Sequence, residues 1–266
     1  MSIISRFMRG ALASLALATA TFSASAAPTT QLGFLIDASG SIGTANFNLM
    51  RSGYISALGA LPTDGSVEVT IYTFSTNAAV LVAPLVVSSA ADITTITNAL
   101  TAFSYVGGGT NTADGINDIS AAMLGSGNYN AGLRSIINLA TDGVPNSQAD
   151  AIAAAAAARA RGIDALTAEA IGTAGAAPSI AQMVFSPLCA VNAGCGVILP
   201  DGSIPTDPMS AANPWVLQVN NFADFPVAIN AKLQAIIVNR LPEPGSLALV
   251  GLTLGLLGVA RRSRKA

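Results

Sequence analysis

The stretch "QLGFLIDASGSIG", Gln31–Gly43, decides the fold. Gln31 to Ile36 reads as a short apolar strand, and Phe34-Leu35-Ile36 as its buried end. An acid and two hydroxyls follow at every second position: Asp37, Ser39 and Ser41. Phe47, Met50, Tyr54, Leu58 and Leu61 then recur at helical spacing, which predicts an amphipathic helix over Ala45 to Leu61. A strand that surfaces in a polar loop and continues as a helix is the opening unit of an α/β fold.

The same alternation continues downstream. Ser66 to Phe74 alternates and is β-branched, so it reads as a strand. Ala79 to Val87 is its expected hairpin partner, and Pro84 places that partner at a sheet edge. Helical spacing returns over Ala91 to Phe103 and again from Thr112 to about Leu124. Leu133 to Ala140 is apolar without alternation, as parallel strands buried on both faces are. Ser147 and Asp150 form a capping-box pattern for an alanine-rich helix that stops at Gly162. Asp164 to Gly172 is a further strand, and Trp215 to Val219 with Asp224 to Val238 form a last strand and helix. Residues 172–214 are less regular. This order predicts an α/β protein: a doubly wound, mostly parallel sheet with one antiparallel edge strand and helices on both faces.

In such sheets ligands bind beyond the carboxyl ends of strands, where strand order reverses. Three polar loops fall at such ends: "DASGS" at Asp37–Ser41, "GGGTNT" at Gly107–Thr112 and "ATDG" at Ala140–Gly143. Each alone is commonly a turn, a helix cap or a flexible loop. Asp114 and Asp118 follow on the next helix; the first suits the helix dipole and the second a solvated face. Tyr105 and Asn111 flank the loops.

Composition narrows the chemistry. The chain has 266 residues and no His, which excludes His-ligated zinc and Ser-His-Asp or Cys-His catalysis within it. The two lysines are Lys232 and Lys265, so a Ser-Lys nucleophile pair is not expected either.

The two ends read as sorting signals. Arg6 and Arg9 precede an apolar run, and "ASA" at Ala24–Ala26 offers small residues for signal peptidase, with the cut between Ala26 and Ala27. Near the other end, Pro242, Glu243 and Pro244 break regular structure before an apolar run from Gly245 to Ala260. Those residues would span about 24 Å as a helix, short of the roughly 30 Å hydrocarbon core, so a transient transmembrane helix is expected. Arg261, Arg262, Arg264 and Lys265 follow and should stay in the cytoplasm. The order Pro-Glu-Pro, short apolar helix, basic end resembles the PEP-CTERM sorting signal of Gram-negative bacteria. That resemblance implies recognition by an exosortase, transient inner-membrane anchoring and a cell-surface or extracellular fate. A plain C-terminal anchor is the simpler alternative.

Six of the 12 basic residues lie in these ends, with one acid, Glu243; what remains has 6 positive and 13 negative charges, a net of −7. Such a surface repels nucleic acid and anionic lipid. Cys189 and Cys195, close together in an exported chain, are expected to form a disulfide.

Taken together, the three loops resemble the metal-ion-dependent adhesion site (MIDAS) of von Willebrand factor A (vWA) domains. The family pattern is D-x-S-x-S, a Thr after a Gly-rich loop, and an Asp after a hydrophobic strand. Asp37, Ser39, Ser41, Thr110 and Asp142 match it, over a region from about Thr30 to Val238 with a vWA/Rossmann-like order of elements. The domain is therefore set at residues 27–240, between the signal peptide (1–26) and the sorting signal (241–266). The resemblance implies a divalent metal, Mg²⁺ foremost with Mn²⁺ or Ca²⁺ as alternatives, since hard cations prefer oxygen ligands. The metal would hold an acidic group of a protein partner, or an acidic polysaccharide, without catalysis. In some members ligand binding shifts the Thr loop and the last helix. The alternative is a structural extracellular-matrix or exopolysaccharide-associated protein whose metal only stabilises the fold.

Overall fold

The computed structural model describes residues 27–130 and 132–238. The expected signal peptide, Pro242, Glu243 and Pro244, and the expected short transmembrane helix lie outside these residues. Among the described residues, no helix is long and apolar enough to cross a membrane.

Among the described residues seven strands form one sheet: β1 (Thr30–Asp37), β2 (Val67–Phe74), β3 (Ala78–Val86), β4 (Arg134–Thr141), β5 (Ala165–Ile171), β6 (Val197–Leu199) and β7 (Trp215–Val219). Their spatial order is β3-β2-β1-β4-β5-β7-β6. All neighbours run parallel except β2 and β3, so the hairpin and the Pro84-bearing edge strand appear as expected. Among the described residues six helices surround the sheet: α1 (Gly43–Leu58), α2 (Ala90–Ala102), α3 (Thr112–Leu124), α4 (Gln148–Arg161), α5 (Ala177–Ala181) and α6 (Phe225–Val238).

β1 is buried along its whole length, and its central side chains from Leu32 to Ile36 are apolar on both faces accordingly. Leu32, Phe34 and Ile36 face one core with Met50 and Tyr54 of α1 and Phe225, Ile229 and Leu233 of α6. Leu35 faces the other, with Ile116 and Ile119 of α3 and the alanine stripe Ala151, Ala154, Ala155 and Ala158 of α4. The poly-Ala helix thus presents a small-residue face to the interior.

Two local differences from the expected elements have clear reasons. The first helix ends at Leu58; Leu61 is still buried, but the chain reaches it through a turn in which Leu61 N donates to the Leu58 carbonyl. The irregular region 172–214 contains α5 and the edge strand β6. Neither is long enough to show periodicity, and β6 exists because β7 offers it a parallel partner. Cys189 and Cys195 are disulfide-bonded, with Cα atoms 6.4 Å apart.

Candidate metal centre

Strand order reverses between β1 and β4. β1 continues into α1 on one face of the sheet, and β4 continues into α4 on the other. The two strand ends therefore diverge and leave a crevice at their carboxyl termini. Asp37 is the last residue of β1, and Asp142 immediately follows β4.

Four of the expected residues form a continuous chain of contacts there. Ser39 N donates to Asp37 Oδ1 at 2.7 Å. The Ser39 and Ser41 hydroxyls are 3.2 Å apart, and Ser41 Oγ donates to Asp142 Oδ1 at 2.6 Å. The alternation read in "DASGS" thus has a physical meaning: it brings the two hydroxyls together between the carboxylates of Asp37 and Asp142.

Asp37 is fully buried, and its second oxygen, Oδ2, accepts a bond from Thr141 Oγ1 at 2.6 Å. Burial pushes its carboxyl up to about 6, with Ser39 and Thr141 opposing and Asp142 adding repulsion. Burial also raises Asp142, against the hydrogen bond from Ser41. Ion pairs among the described residues join Arg134 to Asp207 and Lys232 to Glu169; neither involves Asp37 or Asp142.

Thr110 sits on the adjoining loop. Its position is set by backbone, not by contact of its side chain with the other four. Gly107 N donates to the Ala38 carbonyl and Gly40 N to the Gly108 carbonyl, both at 2.9 Å. Gly107 and Gly108 have φ of +77° and +100°, values that L side chains rarely adopt. Asn146 grips Thr110 from both sides: its Oδ1 accepts from Thr110 N at 2.9 Å, and its N donates to the Thr110 carbonyl at 2.8 Å. Tyr105 OH donates to the Ser39 carbonyl at 2.9 Å and accepts from Gly43 N at 3.3 Å, tying the Gly-rich loop to the start of α1.

Thr141, Asn146 and the loop-tying role of Tyr105 were not legible as site features. A hydroxyl next to Asp142 in "ATDG" was the one visible signal. Asn111 caps α3 by accepting from Asp114 N, and Asp114 Oδ2 accepts from Ala78 N, so both serve local structure. Asp118 is exposed. Two concavities of about 510 and 600 Å³ lie elsewhere, against α6 and β7 and beside β6.

The donor set suits a hard divalent cation. Two carboxylates without a basic partner among the described residues, with three hydroxyls, supply only oxygen. Among the described residues no three His, Cys, Asp or Glu side chains gather, so a thiolate- or imidazole-rich site is not present there.

The sequence pattern of the von Willebrand factor type A domain matches residues 31–188. The chain belongs to this family. The vWA match ends before β6, β7 and α6, which complete the sheet. Residues 241–265 match the PEP-CTERM protein-sorting motif. No curated protein matches the chain. Among solved structures, proximal thread matrix protein 1 from the mussel byssus is 18% identical, with a TM-score of 0.59 over 78% of this chain and 47% of that one. The pilus adhesin SpaC from Lactobacillus rhamnosus GG is 16% identical, with a TM-score of 0.59 over 80% of this chain and 31% of that one. This vWA chain therefore spans less than half the length of either. Another structure of the mussel protein, with zinc in its MIDAS motif, is 18% identical with a TM-score of 0.53 over 76% of this chain and 46% of that one. At these identities the likeness is one of fold.

Proposed function

We propose that this vWA protein is an exported surface or extracellular binding module. It uses a divalent metal to hold an acidic group of a protein partner. Asp37, Ser39, Ser41, Thr110 and Asp142 would present the oxygens, directly or through water. The observation that carries the reading is Asp37: a fully buried carboxylate at the strand-order reversal, raised by burial and without a basic partner among the described residues. A divalent cation would supply the missing charge. With only two carboxylates against a +2 ion, the metal stays electrophilic toward an incoming acid. No catalytic role is proposed.

The PEP-CTERM match supports processing by an exosortase and a surface or extracellular fate. Exposed Val106 and Val144 on the loops that carry Thr110 and Asp142 favour a protein partner over an acidic polysaccharide, because they offer apolar contact beside the metal.

The test is the melting temperature of the protein with Mg²⁺ or Mn²⁺ and with chelator, beside Asp37→Ala. A metal that binds only the folded state raises stability by RT ln(1 + [L]/Kd). A rise in the wild type that Asp37→Ala loses is the expected result; no shift at millimolar metal refutes the metal reading. Thr110→Ala then separates adhesion from a purely structural metal. Lost partner binding with an intact fold supports adhesion.

A further inference from the structure

Lys232 of α6 reaches through the core to Glu169 of β5, with Nζ 2.6 Å from Oε1 and both side chains wholly buried. The other carboxylate oxygen, Oε2, accepts from Asn138 Nδ2 of β4 at 3.0 Å. The same amide group donates to Tyr54 OH of α1 at 3.1 Å. The Tyr54 ring stands edge-on to Phe225, centroids 5.1 Å apart, and Phe225 is the first residue of α6. The connections thus leave α6 at Lys232, cross β5, β4 and α1, and return to α6 one end away. Lys232 also lies 4.7 Å from the centroid of the Trp215 ring on β7.

This arrangement is unlike an ordinary apolar helix seat. Apolar side chains tolerate small sliding, because dispersion contacts are individually weak. A buried ion pair does not: removing one partner leaves an uncompensated charge in the core. The helix pair is also keyed. A Cβ at Gly53 of α1 would lie 2.9 Å from Phe225 Cδ1, so α6 fits where α1 has no side chain.

We propose that Lys232 and Glu169 form a latch that lets α6 open only together with the central sheet. The latch has a mechanical use. α6 is the last described element before the sorting motif at residues 241–265, so a pull on the C-terminal tail acts on α6 first. The latch passes that pull to β5 and to β4, the strand that leads into Asp142, instead of letting the helix strip away. The mechanical use rests on the surface-held reading above; the latch itself does not.

The experiment is hydrogen exchange followed by mass spectrometry on the exported chain, tail included, in detergent and chelator. Exchange is read against denaturant for residues 229–237 of α6 and for β5. In the wild type both should open with the same free energy, as one cooperative unit. In the paired variant Glu169→Gln/Lys232→Met, which keeps shape and removes both charges, α6 should exchange at least about tenfold faster than β5. Tyr54→Phe removes only the hydroxyl that links Asn138 to α1 and should separate the two elements by about threefold. The proposal is overturned if α6 already opens independently in the wild type. It is equally overturned if α6 stays with β5 in the paired variant or, should that variant not fold, in Tyr54→Phe. Chelator is present throughout, so failure of the metal reading would not be confused with failure of the latch.

Discussion

Ser41 Oγ lies 2.6 Å from Asp142 Oδ1, although 101 positions separate the two residues. The contact exists because β1 and β4 are parallel neighbours with Ile36 opposite Ala140, so the loops that leave both strands start at the same level. Everything proposed for the metal centre depends on that register.

Thr141 should prove as consequential as the residues proposed to hold the metal. Its hydroxyl is a donor to buried Asp37 Oδ2. Thr141→Val keeps the shape and leaves one carboxylate oxygen short of a partner. In chelator we expect a stability loss of about 1–3 kcal/mol, read by urea denaturation. A loss below a few tenths of a kcal/mol would show that water replaces the hydroxyl.

Asn146 should act on the proposed metal without contacting it. Asn146→Ala removes the Oδ1 that holds Thr110 N. Outer-shell partners of metal sites commonly contribute 10–100-fold in affinity, so we expect Mn²⁺ binding to weaken by about tenfold while the fold stays intact. Calorimetric titration measures this, and unchanged affinity would mean that Gly107 and Gly108 alone place the loop.

The pH dependence of the metal-free protein has a definite sign. Asp37 rises from 3.8 to about 6 in the folded state. Between those values the folded chain binds the proton more tightly than the unfolded chain. Stability from this group is therefore greatest below pH 3.8 and is lost as pH rises through about 6. The full effect is on the order of 3 kcal/mol. Other carboxyls, such as Asp64 and Asp92, are lowered and slope the opposite way. The comparison to make in chelator is thus wild type against Asp37→Asn from pH 4 to 7.5. The variant should lack this slope; parallel curves would refute it.

The disulfide should stabilise the irregular segment modestly. Cys189 and Cys195 are 6 positions apart, and so short a closed loop contributes about 2 kcal/mol. Cys189→Ser/Cys195→Ser should lower the denaturation midpoint accordingly, and reductant should do the same to the wild type only.

Much of this protein was determined by its sequence alone. Long apolar strands, helices with a 3.6-residue period and the "DASGS", "GGGT" and "ATDG" loops are local patterns. Local steric and hydrophobic preferences are strong enough there to be read one element at a time. The helix from Thr112 to Leu124 and the strand from Trp215 to Val219 have the expected bounds for this reason. The tertiary structure decided what no single element contains. Strand β6 is three residues long and forms only because β7 is beside it. Lys232 reads as an isolated cation until α6 lays it 63 positions back against Glu169. Thr141 and Asn146 gain their roles from Asp37 and Thr110 on other segments, 104 and 36 residues away. Hydrogen bonds and ion pairs act over a few ångströms, so partners far apart in the chain are chosen only when packing brings them together.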